Sequence, residues 1–579
     1  MRTNATLLAL LTLPWCAACG GGEAPVDPPP APEDRTSVVL VTLDTTRADS
    51  LSYLGQVTVG LTPHLDGLAA RGLTHLGART VAPLTLPSHA SMLTGLYPPR
   101  HGIRDNGQAV LPQTAETLAE AARAAGYRTG AFLAAAVLDA SFGLDQGFET
   151  YTSGTPATAG ASTHVASRPG SEVVDEALAW LDGGAADEPF FLWVHLFEPH
   201  DPYEPAFEYR LRSGSDAYLA EVSQADAEIG RLLERLEAPG LAERTAVLFL
   251  SDHGEARGDH DEETHGAFTY ESVLRVPFIL ARPDGARAGE YSTAPVSVVD
   301  VAPTLADAMG LTLPDDLDGV SLWDADPPVE RGVYFECMSG YLSLGWSPLV
   351  GWVDARGKYH HSSSPELYDL TTDPGETANL ATQRDVSPWR DAIARLYERP
   401  RLLAEGNDVD QELLAKIRAL GYAGTGASGE LPHPLEASDL PSPHRRAREL
   451  GLVLRGNGFY GAGKLEEAIL DFRAVIQDNP RSLRALEGLT NCLMLLERRA
   501  EAVEPLRQRI ALDGGRGADH WNLGLALAAA GEGEAALESF VVAATREDRD
   551  PSWVPFVRNL LVQAGRPEEA ARLPGGGGR

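Results

Sequence analysis

The chain has 579 residues, of which 43% are hydrophobic and 22% charged, and it carries a formal net charge of −34. That length exceeds what one hydrophobic core serves, so two or more domains are expected, and the composition excludes a disordered chain. The acidic balance excludes nucleic acid as a partner, because binding it needs a basic footprint.

Residues 1–19, "MRTNATLLALLTLPWCAAC", combine one positive charge, a short apolar run and small residues before Cys19. The run is too short to span a membrane and has the form of a bacterial secretory leader. "CAAC" resembles a lipobox, which makes Cys19 the lipidated residue; a plain signal peptide cut near Ala18 is the alternative. The expected localisation is the bacterial cell envelope, as an exported, membrane-anchored lipoprotein. Residues 20–36 form a Pro-rich tether. The four cysteines, at 16, 19, 337 and 492, cannot build a disulfide framework for a chain of this size.

From Ser37 the pattern changes. "SVVLVTLD" (37–44), "YRTGAFLA" (127–134), "FFLWVHLF" (190–197) and "TAVLFLSD" (245–252) are continuous apolar runs bounded by turn formers. Such runs suit strands buried on both faces. Helical stretches lie between them, for example 114–126 and 218–237. The alternation predicts a large α/β domain with a mostly parallel central sheet over residues 37–385, whose ligand site lies at the carboxyl ends of the strands.

Three of those ends carry chemistry. Asp44 ends the first run, where it could equally cap a helix. His195 and His200 lie in or just beyond "FFLWVHLF"; His195 reads as a core histidine and His200, at the strand exit, as a site residue. "SDHGEARGDHDEETHG" (251–266) puts Asp252 and His253 at a strand end and His265 twelve residues later, amid carboxylates. A solvated acidic loop would account for the carboxylates but not for histidines beside a buried strand. Mixed carboxylate and imidazole suits a divalent metal, with zinc or manganese favoured over calcium. "LTLPSHASMLTGLYPPRHG" (84–102) predicts a helix through "SHASMLTG" with Thr85 just outside its N-terminus, where free amides stabilise an anion. Thr85 or Ser88 could instead simply cap that helix.

Residues 386–440 read as a helical patch and a linker. Beyond them Ala468, Ala502, Ala536 and Ala570 recur every 34 residues, with Gly463, Gly531 and Gly565 five before three of them and Phe472 and Phe540 four after two. This is the period of tetratricopeptide repeats, expected over 441–575 and expected to bind a protein partner on a concave face.

Residues 37–385 resemble the sulfatase branch of the alkaline phosphatase superfamily. The motifs that carry the resemblance are "VLVTLDTTRADSLSYLG", "TLPSHASMLTGLYPPRHGI", "PHDPY", "SDHGE", "SVVDVAPTLADAMGL", "DLDGVSL" and "ELYDLTTDPGETANLA". The resemblance implies a metal bound by Asp44, Asp252 and His253, with Thr85 as its coordinated nucleophile. It also implies that His200 and His265 bind the transferred group or protonate the leaving oxygen.

The departures are as informative. Sulfatases oxidise a Cys or Ser to formylglycine at the position held here by Thr85, and the Cys-x-Pro-x-Arg maturation motif reads "TLPSH". His89 replaces its arginine and is a candidate for substrate contact. Thr45 replaces a second aspartate, "GAFLAAA" (130–136) replaces a sulfate-positioning segment, and Asp252-His253 replaces Asp-Asn. Together these resemble the threonine-nucleophile branches, and they point to an anionic ester substrate, more phosphoryl than sulfuryl. His101 and Arg100 are candidates to stand behind the site. Phosphoryl transfer to a cell-envelope acceptor, and a degenerate scaffold serving the repeats, are the alternatives.

Overall fold

The computed structural model describes residues 35–107, 109–153, 167–185, 187–402 and 431–574. Cys19 and the rest of the leader lie outside the described residues. No helix among the described residues is long and apolar enough to cross a membrane.

The strands in chain order are β1 (Ser37–Leu43), β2 (Leu73–His75), β3 (Ala78–Arg79), β4 (Arg128–Leu133), β5 (Thr150–Ser153), β6 (Phe190–Leu196), β7 (Thr245–Ser251), β8 (Phe278–Ala281), β9 (Tyr291–Ser292) and β10 (Val296–Ser297). Eight of them form one sheet in the order β5-β4-β6-β1-β7-β8-β2-β9, and β3 pairs with β10 apart from it. The four apolar runs of the sequence are its centre: β4, β6, β1 and β7 are parallel neighbours, and β8 closes on β7 antiparallel.

Continuous apolar sequence is needed because both faces are covered. Val38 and Leu40 point into a cluster with the helices Thr85–Thr94, Leu118–Ala124 and Val301–Met309. Val39, Val41 and Leu43 point the other way, against Pro63–Arg71, Gly170–Asp182 and Ala217–Leu236. Register then fixes what stands at the strand ends. Leu43 lies opposite both Leu196 and Ser251, so Asp44 and Asp252, one residue further on, emerge side by side.

A second, antiparallel sheet follows: β11 (Val333–Cys337), β12 (Leu349–Asp354), β13 (Gly357–His361) and β14 (Glu366–Tyr368). The Ser387–Tyr397 helix buries Trp389 and Ile393 in the first cluster. It lies where a helical patch is expected at the start of 386–440, and its apolar stripe packs it against the α/β domain.

Residues 447–572 are helical hairpins, built from Ala447–Gly461 with Leu465–Asp478, Leu483–Leu495 with Val503–Asp513, Gly517–Ala529 with Gly533–Thr545, and Trp553–Gln563 with Pro567–Arg572. Their packing accounts for the periodic residues. Ala468, Ala502, Ala536 and Ala570 are all buried between helices. Gly531 sits at φ +82° between the two helices of its hairpin, a backbone that favours glycine. Phe540 lies so close to Gly524 that a Cβ there would come within 2.5 Å of its ring.

Candidate active site

Asp44, Asp252 and His253 converge at the ends of β1 and β7, fully buried, and each offers an atom within 4.8 Å of the others. His253 Nε2 lies 3.6 Å from Asp44 Oδ1 and 3.7 Å from Asp252 Oδ2. Backbone groups set the orientation of Asp252 and His253. The amides of His253 (2.7 Å) and Thr45 (3.3 Å) donate to Asp252 Oδ1, which turns Oδ2 inward. His253 Nδ1 donates to the Gly254 carbonyl at 3.0 Å, which leaves Nε2 as a lone-pair donor. Thr45 adopts φ +48° and its hydroxyl donates to the Pro199 carbonyl, tying the turn after β1 to the loop after β6.

These residues fit a divalent cation. Both oxygens of Asp44, Asp252 Oδ2 and His253 Nε2 are buried without a hydrogen-bond partner, a costly arrangement unless a cation completes it. Burial raises the pKa of Asp44 and Asp252; Asp44 raises Asp252 further and Glu255 raises Asp44, against the pull of the nearby histidines. For His253, burial disfavours the cation, but Asp252 and Asp44 outweigh it and raise the pKa. Two carboxylates and an imidazole at these distances form the mixed oxygen and nitrogen donor set that a divalent metal takes.

Thr85 is the first residue of the Thr85–Thr94 helix rather than the residue before it, and it is buried. Its hydroxyl is close enough to Asp44 to favour that carboxylate's ionised form. Neither threonine nor serine caps this helix by its side chain. Ser88 Oγ donates instead to the Asp252 carbonyl (2.8 Å), which ties the helix to the end of β7. The Leu86 amide is received by Asn106 Oδ1 at 2.9 Å, a capping role from a residue that the sequence did not single out.

Two loop histidines close the other side. His265 stands with its ring 4.5 Å from that of His253 and 5.1 Å from that of His200, and its Nδ1 is 3.1 Å from Glu255 Oε1. His200 stacks on Phe197 at 4.2 Å and its Nδ1 donates to the Asp201 carbonyl. Burial lowers both pKa values, that of His200 to about 4, so both rings are neutral at pH 7. Burial raises Glu255 to about 8, against the pull of His253 and the Tyr203 hydroxyl. Glu255 is a site neighbour that the sequence reading passed over as part of an acidic loop.

His89 corrects an expectation. It does not line an open substrate cleft. It is buried beneath the triad, its Nδ1 donating to the Thr85 carbonyl (2.8 Å) and its Nε2 lying 3.1 Å from Thr42 Oγ1. Thr42 also meets His195 Nδ1 at 3.1 Å, and His195 Nε2 lies 3.5 Å from Asp44 Oδ2. His195 is therefore buried, as expected, yet in contact with a site residue through the β1–β6 register. Arg100 pairs with Asp316 and Asp318, and His101 bonds Ser91; both hold the chain around the helix rather than the site.

This geometry can be set beside known proteins. Residues 36–311 match the sulfatase family. The match covers the strands and helices that place Asp44, Thr85, Asp252 and His253. The chain is 29% identical over 450 residues to an ulvan-active sulfatase of Formosa agariphila, spanning 67% of this chain and 82% of that protein. It is 24% identical over 454 residues to an arylsulfatase of Clostridium perfringens, spanning 62% and 93%. Among solved structures it is similar to a protein in complex with its substrate D-glucosamine-2-N,6-O-disulfate, with a TM-score of 0.54, 20% identity, and 63% and 97% of the two chains covered. Sulfatase-family proteins are metal-dependent ester hydrolases of the alkaline phosphatase superfamily, and this chain is an ester hydrolase related to them.

Proposed function

We propose that the α/β domain hydrolyses sulfate- or phosphate-type esters with Thr85 as nucleophile, preferring phosphoryl to sulfuryl esters. The observation that carries this reading is the Thr85 hydroxyl beside Asp44, at the point where four unpartnered buried atoms of Asp44, Asp252 and His253 converge. A cation held there would lower the pKa of the hydroxyl and offset negative charge on the transferred group. Thr85 Oγ1 gives its proton to a neutral imidazole, His200 or His265, and forms a bond to the central atom of the ester as the bond to the leaving oxygen breaks, the imidazolium then passing that proton to the leaving oxygen. His200 and His265, both within ring contact of one another, bind the transferred group or supply the leaving oxygen's proton. Water then releases the group from Thr85.

The phosphoryl preference rests on position 85, since threonine does not give the formylglycine that sulfatases use. Sulfate esters are the second reading, favoured by the names of the two sulfatase relatives. Purified mature protein with added zinc, manganese or calcium, assayed on nitrophenyl phosphate, bis-nitrophenyl phosphate and nitrophenyl sulfate, separates the two. Turnover of the sulfate alone, abolished by Thr85→Ala, overturns the phosphoryl preference. Product formation that requires an acceptor other than water would establish transfer in place of hydrolysis.

The same proposal extends to the flanking regions. The helical hairpins are read as tetratricopeptide repeats that bind a protein partner, supported by their buried periodic alanines. Residues 1–19 are read as a lipoprotein leader that anchors the enzyme to an envelope membrane through Cys19. Release of Cys19→Ser from the membrane fraction tests the anchor.

A further inference from the structure

The loop that carries His265 does not stop at the site. Gly266 follows it, and then Ala267 and Phe268 enter a single apolar cluster that joins Tyr270, Leu344, Trp346 and Tyr368 to repeat residues, among them Leu450, Val453, Ala468 and Phe472. Glu262, buried on the same loop, accepts the amides of Ala267 (2.9 Å) and Phe268 (3.3 Å), and Cys337 Sγ donates to the Gly266 carbonyl. Phe268 lies parallel to Trp346, with ring centroids 6.2 Å apart. Trp346 is itself fixed from the helical region, its Nε1 donating to Glu449 Oε1 at 3.1 Å. Asn479 holds the same oxygen at 2.6 Å while its amide also reaches the Leu344 carbonyl at 2.7 Å. Phe268, Trp346, Glu449 and Asn479 are all buried.

The two regions also meet too closely to hinge freely. A Cβ at Gly345, which sits at φ +66°, would lie 2.7 Å from Arg481 Cβ. A second connection runs toward the nucleophile helix. Asp105 accepts from Ser339 Oγ at 3.0 Å and from the Asn106 amide at 2.9 Å; burial raises its pKa to about 7, against the pull of these bonds and of Arg484. Asn106 in turn receives the Leu86 amide beside Thr85.

We infer that the helical region is a built-in part of the active site, in which Glu449 and Asn479 act as positioning residues that fix the His265 loop through Trp346 and Phe268. This goes beyond the proposed chemistry and rests on it only in treating His265 as a site residue. The helical region holds the back of the loop while the sheet holds its front, and the two together set the distance of His265 to His253. Anything that strains the first hairpin is felt at His265 before it is felt at Asp44.

The test uses the full chain. In Glu449→Ala, hydrogen exchange of the 262–270 amides rises about tenfold, the scale expected when buried hydrogen-bond partners are orphaned. Exchange in β1 and β7 and the content of bound zinc stay at wild-type values. Glu449→Gln, which keeps the accepting oxygen, restores wild-type exchange. Where the ester assays give turnover, Glu449→Ala lowers kcat, and adding it to His265→Ala lowers kcat no further. Unchanged protection of 262–270 in Glu449→Ala overturns the inference, as does an equal rise over 37–43 and 245–251, or additive losses in the double variant. The exchange measurement stands whatever the substrate proves to be, so its failure is distinct from failure of the proposed chemistry.

Discussion

The two sides of the candidate site are built on different principles. Asp44, Asp252 and His253 sit at ends of paired strands, where register and backbone amides fix them. His200 and His265 sit on loops, held by ring contacts, by Glu255 and by a carboxylate-braced turn. The difference teaches where rigidity is placed. Two buried carboxylates repel one another, so their spacing must be set by the strongest part of the fold. In the proposed reaction the histidines would face a group whose shape changes, and their support is indirect and comes in part from another region of the chain.

The largest expected effect lies on the strand side. Thr85→Ala is expected to lower turnover by about 10⁴-fold or more, as loss of a nucleophile does, while elemental analysis still finds the metal. A variant that keeps more than a tenth of the activity would remove threonine from the mechanism. Asp252→Asn is next: its affinity for zinc should fall by more than about 100-fold, beyond the 10–100-fold of an outer partner, as read by competition with a chelator. His265→Ala should cost about 10²–10⁴-fold in kcat, the range of a lost proton-transfer or hydrogen-bonding group, with zinc affinity unchanged. Equal loss of zinc in both variants would erase the contrast between the two sides.

The smallest effect is a pH dependence of stability. Burial raises Glu262 from its ordinary 4.5 to about 8, against the pull of the Ala267 and Phe268 amides. The folded state therefore holds a proton that the unfolded state has lost between those values, and stability falls as pH rises through that window. Above about pH 8 the loss levels off. Glu262→Gln carries no such proton, so its unfolding temperature should decline less than wild type between pH 5 and pH 8, by a few degrees, in thermal melts. Parallel declines would show that Glu262 ionises freely in the fold.

Much of the strand side was legible in sequence. Continuous apolar runs announce buried strands, and a polar residue closing such a run must stand at the sheet's edge, which is where Asp44, Asp252 and His253 are found. His265 was legible through its spacing from His253. His89 misled because its neighbours in sequence belong to the nucleophile segment, whereas the helix turns its ring toward Thr42 on β1. Asn106, Glu255 and Glu449 gave no sign, since an amide and two carboxylates among 82 acidic residues stand out only by what they touch.

The sequence by itself determined the α/β sheet, the periodic helical region and the donor types gathered at the strand ends, because hydrophobic period and residue chemistry are local properties. Only the tertiary structure decided which atoms of those donors face one another, which histidines lie under the site rather than over it, and that the helical region packs against the His265 loop. Those outcomes depend on contacts between segments far apart in the chain, from Thr42 to His195 and from Trp346 to Glu449. Burial then turns each contact into a constraint, because a polar group without water must be met by a partner.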